Sequence, residues 1–252
     1  MIAFPSWVLP VVFAPFIGSF LGVVALRAGN FHSIVFGRSA CPNCGAQLGV
    51  LDLVPVFSWL ASRGQCRHCR QPVPLFYPGI ELAAIGVAIW SVVMTSGWIL
   101  WISCFFGWAL LVLAVIDFKY YVLPDRLTLS LIAAGILVAW RFDPAAVLDH
   151  VIGAVGGLFF VLGLRWIYQA LRGREGIGLG DAKLLAAAGA WVSWSGLPSV
   201  VLIAAVAGLG GALLRRWHEG KIAMTDEMPF GAYLCLGIWI VWLYGPLQAA
   251  AP

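Results

Sequence analysis

The sequence predicts an all-α, polytopic membrane protein of about eight transmembrane helices, with one small polar domain inserted after the first helix. Three observations predict it. Of 252 residues, 62% are apolar and only 10% charged, with a mean hydropathy of +0.95. A soluble domain carries about 25% charged residues, and a single soluble core of this length needs a polar skin that so few charges cannot supply. The chain also holds 13 Trp and 29 Gly, which membrane helices place at their interfaces or tolerate in their interiors. A secreted enzyme, a cytosolic domain, a disordered chain and a nucleic-acid binder are thereby excluded.

The apolar runs lie at 7–26, 80–97, 98–116, 127–140, 147–171, 183–195, 199–214 and 229–247. At roughly 20 residues per span, the fourth and sixth are short. The first resembles a signal peptide only superficially. Its first basic residue, Arg27, follows the stretch, and Pro5, Pro10 and Pro15 interrupt it, so it reads as a retained helix. The one long polar interruption, Arg27 to Gly79, divides the chain into a first transmembrane helix (1–26), a polar domain (27–79) and the remaining helices (80–252).

Lys and Arg placement sets the orientation. With 27–79 in the cytoplasm, alternation puts 117–126, 172–182 and 215–228 on the same side. Those segments and their flanks hold Arg27, Arg38, Arg63, Arg67, Arg70, Lys119, Arg126, Arg172, Arg174, Lys183, Arg215, Arg216 and Lys221, 13 of the 15 basic residues. Arg141 falls outside them, and Arg165 lies within a helix, from which it snorkels to the interface.

In the polar domain, Cys41-Pro42-Asn43-Cys44 and Cys66-Arg67-His68-Cys69 are separated by 21 residues. Each pair offers two thiolates from one tight turn, and two such turns complete a tetrahedron around Zn²⁺. Arg38, Arg63, Arg67 and Arg70 are near enough in sequence to balance the resulting negative charge. His32 and His68 are substitute ligands, but four Cys fill the shell. The alternative is thiol redox chemistry, against which the reducing cytoplasmic side counts. A closed four-thiolate site folds the loop and performs no hydrolysis. Cys104 and Cys235 lie alone in apolar runs and read as small hydrophobes.

Only 11 acidic residues are available for other chemistry, and burying one near a membrane is costly. Asp117 ends the third run, Asp125 precedes the fourth, and Asp181 closes Gly176-Ile177-Gly178-Leu179-Gly180-Asp181 and opens the sixth. Each has a plain explanation: Asp125 and Asp181 as helix caps, Asp117 as a solvated loop residue. The alternating glycines weigh against it for Asp181, since they permit close backbone approach and unusual φ, as a strip receiving an extended peptide needs. Two carboxylates brought within a few ångströms share a proton. One then activates water while the other donates to a carbonyl. The helix ends favour the anion at Asp181 and the acid at Asp117. As a dinucleotide fingerprint the glycines fail, because a membrane helix precedes them where a strand belongs.

Several stretches together carry a resemblance. They are Arg38-Ser39-Ala40-Cys41-Pro42-Asn43-Cys44, Arg63-Gly64-Gln65-Cys66-Arg67-His68-Cys69 and Tyr77-Pro78-Gly79-Ile80-Glu81-Leu82. To these add Ile116-Asp117 with Leu123-Pro124-Asp125-Arg126, Gly178-Leu179-Gly180-Asp181-Ala182-Lys183, and Pro229-Phe230-Gly231. The chain resembles the bacterial type IV prepilin peptidases, GxGD-type intramembrane aspartyl proteases. The resemblance implies an inner-membrane endopeptidase that removes the basic leader of type IV prepilins or type II secretion pseudopilins at the cytoplasmic face. It also implies N-methylation of the new terminus with S-adenosylmethionine as methyl donor. It carries a catalytic pair over to Asp117 and Asp181, with Gly178, Gly180, Asp125 and Lys183 in support, and zinc ligands to Cys41, Cys44, Cys66 and Cys69. One departure is Gly18-Ser19-Phe20-Leu21-Gly22-Val23-Val24, where the family usually places Asn at the position of Gly22. Two rivals stand beside it: a membrane thiol oxidoreductase using the CxxC pairs, and a transporter. A transporter needs carboxylates near the bilayer midplane, whereas these map to one edge.

Overall fold

The computed structural model describes residues 7–28, 37, 39–173, 178–219 and 228–247. They form two compact units, Met1–Val112 and Leu113–Pro252. Both are helical, because a chain this apolar has to satisfy its backbone groups within each segment.

The first unit holds α1 (Val8–Leu26), a 3₁₀ turn (Val50–Leu53), α2 (Phe57–Ala61), α3 (Phe76–Met94) and the start of α4 (Gly97–Tyr120). Helices α1 and α3 cross in backbone contact, since a Cβ on Gly18 would lie 2.7 Å from the Cα of Glu81. Gly18 meets Ala84 and Gly22 meets Ile80, so the two helices run antiparallel. The Trp108 indole of α4 donates to the Ala84 carbonyl at 3.0 Å. Helix α3 begins at Phe76, ahead of the apolar run at 80, and Pro78 is accommodated in its first turn.

The second unit holds the end of α4, α5 (Asp125–Phe142), a 3₁₀ turn (Pro144–Ala146), α6 (Val147–Arg172), α7 (Leu179–Glu219) and α8 (Phe230–Tyr244). Helix α7 has 41 residues, which as one rod would span about 60 Å, twice the hydrocarbon thickness. It breaks at Ser193 (φ 59°, ψ 179°). Its first arm packs on α5 and α6, where Cβ atoms on Gly135 and Gly157 would meet the Ala190 and Leu185 carbonyls at 2.8 and 2.7 Å. Its second arm packs on α8. Tyr233, near the start of α8, meets Gly208 and Gly211, while the Leu247 N–H, beyond its end, donates to Ser199 Oγ at 2.9 Å. The second arm therefore returns to the side from which the first arm left. The sequence places this division after 195, near Pro198; the backbone turns at Ser193 and leaves Pro198 early in the second arm, where its missing N–H costs little.

Among the described residues, five helices are long and apolar enough to cross a membrane, and α8 is a shorter apolar one. Dividing α7 gives nine α-helical segments among the described residues; apart from the five-residue α2, they fall one to each apolar run. The first arm of α7 is the core of its unit: Ala182, Leu184 through Ala188 and Ala190 are at most 3% exposed.

Candidate functional site

Asp117 is not in a loop. Helix α4 continues to Tyr120, so Asp117 sits in its last turn, buried at 5% exposure. Its Oδ2 accepts the Ala232 N–H at 2.8 Å, and the Gly231 N–H donates to the same carboxylate. These donors are available because they belong to the first turn of α8, whose leading N–H groups have no partner inside the helix. Gly231 is required for the approach: a Cβ there would lie 3.0 Å from Asp117 Oδ2 and 2.9 Å from Leu123 Cδ1.

Asp181 is the third residue of α7 and half-buried. Its carboxylate accepts the N–H of Gly178, the residue before the helix, which is the reach-back half of a capping box. It also lies within electrostatic reach of Asp117. The structure thus brings together two acidic residues 64 positions apart, from the end of one helix and the start of another. Gly178 and Gly180 do not form an extended strip. Neither has a positive φ, and Gly180 lies in the first turn of α7, where a Cβ would meet Leu123 Cβ at 3.0 Å. Close approach is the use of Gly180; a Cβ on Gly178 would meet Asp181 Oδ2 at an ordinary 3.6 Å. Gly176 lies outside the described residues, as do His32, Arg38, Arg174 and Lys221.

Asp125 opens α5 without capping it; no side-chain cap is made there. Instead its Oδ1 accepts Lys183 Nζ at 2.6 Å, which ties the start of α5 to the second turn of α7. The segment between α4 and α5 is thereby held so that Leu123, 7% exposed, fills the space over Gly180 and Gly231. Sequence reasoning missed three contributors: the Gly231 and Ala232 N–H groups, Leu123, and Cys235. Cys235 is buried one helical turn beyond Gly231 and lies within electrostatic reach of both carboxylates. Nothing in its apolar context signals that position. Two carboxylates so placed can divide the work of a general base and a general acid on one water.

The four cysteines converge in the first unit. The two turns are built alike: Cys41 N–H donates to Ala46 O and Gly45 N–H to Cys41 O, while Cys66 N–H donates to Gln71 O and Arg70 N–H to Cys66 O. Gly45 (φ 70°) and Arg70 (φ 57°) occupy equivalent left-handed positions. The four sulfurs lie within 4.8 Å of one another, with Cys41 Sγ and Cys69 Sγ at 3.9 Å, and can hold a metal ion. The N–H groups of Cys44 and Asn43 donate to Cys41 and bring its thiol down to about 6; those of Cys69 and His68 lower Cys66 likewise. Such donors stabilise thiolates, the form a metal needs. Arg67 does not serve the cluster alone, since its Nε pairs with Asp52 Oδ1 at 3.2 Å.

Residues 12–95 match the Bacterial Peptidase A24 N-terminal domain, and residues 104–213 match the Type IV leader peptidase family. A Pectobacterium carotovorum protein named prepilin leader peptidase/N-methyltransferase is 34% identical over 258 residues, covering 93% of this chain and 92% of its own. The chain belongs to the type IV leader peptidase family. Proteins of the same name from Burkholderia pseudomallei (44% identical over 210 residues, 82% of this chain and 67% of theirs) and Aeromonas hydrophila (38% over 220 residues, 85% and 74%) are further relatives. No solved structure matches the chain. In this chain Asp117, Asp125 and Asp181 fall in the second matched region and the four cysteines in the first.

Proposed function

We propose that this family member is a multi-pass inner-membrane aspartyl endopeptidase that removes the basic leader of type IV prepilins or type II secretion pseudopilins, then methylates the new N-terminus. One observation carries the peptidase assignment: Asp117 and Asp181, from separate helices, meet electrostatically beside the N-terminus of α8. Asp117 Oδ2 accepts the Ala232 N–H, which leaves Oδ1 as the oxygen free to exchange a proton. One carboxylate takes a proton from water as its oxygen adds to the scissile carbonyl carbon, and the other donates a proton to the carbonyl oxygen. Collapse of the diol breaks the C–N bond, and the departing nitrogen takes the proton that the first carboxylate removed from water, leaving as the amine. Catalysis needs no metal. Cys41, Cys44, Cys66 and Cys69 would hold zinc, which would supply a folding constraint; the 3.9 Å separation of Cys41 and Cys69 suits two sulfurs sharing one ion. S-adenosylmethionine supplies an electrophilic methyl group for the second activity.

The active face is cytoplasmic in this proposal. In the second unit, Lys119, Arg126, Arg172, Lys183, Arg215 and Arg216 gather at the helix ends on the aspartate side, and Arg141 stands at the other. That bias supports a pair on the side from which a basic leader enters the membrane. The test is cleavage of a purified prepilin by wild type, Asp117→Asn and Asp181→Asn. Each substitution should lower kcat by on the order of 10³-fold or more, and substantial activity in either variant removes the dyad.

A further inference from the structure

We propose that a cavity in the first unit is the methyl-donor site, with Glu81 as the carboxylate that faces the donor's sulfonium. The proposal rests on the methyltransferase assignment and gives it a location and a charge. The cavity, about 230 Å³, lies among the C-terminal half of α1, the cysteine turns and the start of α3. Its walls include Ser19, Asp52, Trp59, Arg67, Tyr77 and Glu81.

S-adenosylmethionine presents a cationic sulfur, an amino-acid carboxylate and ammonium, a ribose diol and a flat purine. A sulfonium in a low-dielectric pocket needs a carboxylate or an aromatic face. Glu81 is 7% exposed, and its carboxylate accepts the Val56 N–H at 2.7 Å and a hydrogen bond from Ser19. Those two bonds use about half of its acceptor capacity. Among the described residues no cation is paired with it, and a buried anion without a cation is costly. A cationic ligand supplies the missing charge. Tyr77 and Trp59 add aromatic surface, and Trp59 is rigid: its Nε1 donates to Val73 O at 3.2 Å, and its ring packs on Gly64. The Arg67–Asp52 pair offers a guanidinium for the donor's carboxylate and a carboxylate for its ammonium or ribose hydroxyls. Val56, which Glu81 holds, has φ 61° and ψ −52°. That strained conformation is of the kind sustained at binding sites.

The competing role for Glu81 is a strut that holds Val56, and charge separates the two. Glu81→Gln keeps the shape and an oxygen for the Val56 N–H but removes the negative charge. Full-length wild type and Glu81→Gln are titrated in detergent by calorimetry with S-adenosylmethionine and with S-adenosylhomocysteine, whose sulfur is neutral. The proposal expects the Kd for S-adenosylmethionine to rise by at least about tenfold and that for S-adenosylhomocysteine to change far less. It also expects ultraviolet cross-linking of labelled donor to wild type to map within residues 19–27 and 39–81, which line the cavity, a readout that does not depend on the variant folding. Equal loss of both ligands, unchanged binding of the donor, or label elsewhere in a wild type that still methylates prepilin overturns the site and leaves the activity standing. A wild type that neither binds the donor nor methylates overturns both.

Discussion

Alanine at Gly231 probes how Asp117 is held. A Cβ at this position would lie 3.0 Å from Asp117 Oδ2, 3.1 Å from its Cγ and 2.9 Å from Leu123 Cδ1. Ordinary contact begins near 3.4 Å, so the carboxylate must retreat by about 0.4 Å from the turn whose Ala232 N–H it accepts at 2.8 Å. A hydrogen bond to a charged group is worth about 1.5–3 kcal/mol, so its loss in the transition state is about 10- to 160-fold in rate. Gly231→Ala should therefore lower kcat for prepilin cleavage by that factor and leave KM nearly unchanged, measured on purified enzyme with a full-length prepilin. The double variant Gly231→Ala/Leu123→Ala sharpens the test. Removing Leu123 relieves the 2.9 Å contact and leaves both carboxylate contacts in place, so rescue should be partial. Wild-type kcat in the single variant, or complete rescue in the double, would refute the argument that the carboxylate is the group displaced.

Two further outcomes follow from the same geometry. Purified protein should carry one zinc per chain by elemental analysis, and Cys41→Ser or Cys66→Ser should abolish it and lower the melting temperature; full zinc content in either variant contradicts a four-sulfur site. Asp125→Asn and Lys183→Ala should each destabilise by no more than about 1 kcal/mol, because the pair is largely exposed. A charge-reversed double variant should recover part of that loss in thermal unfolding, and a loss several-fold larger would mean the pair does more than anchor the start of α5.

The site was legible in part. Asp117 and Asp181 stand out because carboxylates are rare in this chain and each sits at the edge of an apolar run. The CxxC spacing marks four sulfurs for one centre, and the structure gathers them within 4.8 Å. The edges of the runs misled in specific ways. Asp117 lies inside α4 because a helix continues past its apolar stretch as long as its last turn finds partners, here with Phe118 packed on Tyr233. Asp125 answers Lys183 and caps nothing, a pairing across 58 residues that no local pattern encodes. Ser193 breaks α7 without a proline or glycine at the break.

By itself the sequence determined the medium and the chemistry on offer. Hydropathy dictates membrane helices, and scarce polar residues limit what can react. These are properties of segments, additive along the chain. Only the tertiary structure decided which groups meet. Asp117 is joined to Asp181 and to the Ala232 N–H by the packing of three helices whose contact depends on glycines at 180 and 231. Cys235 and Leu123 gain their positions from the same contact. The physical reason is that an apolar helix specifies its environment many residues at a time, whereas helix contacts in a membrane are set by a few small side chains whose partners lie far away in sequence.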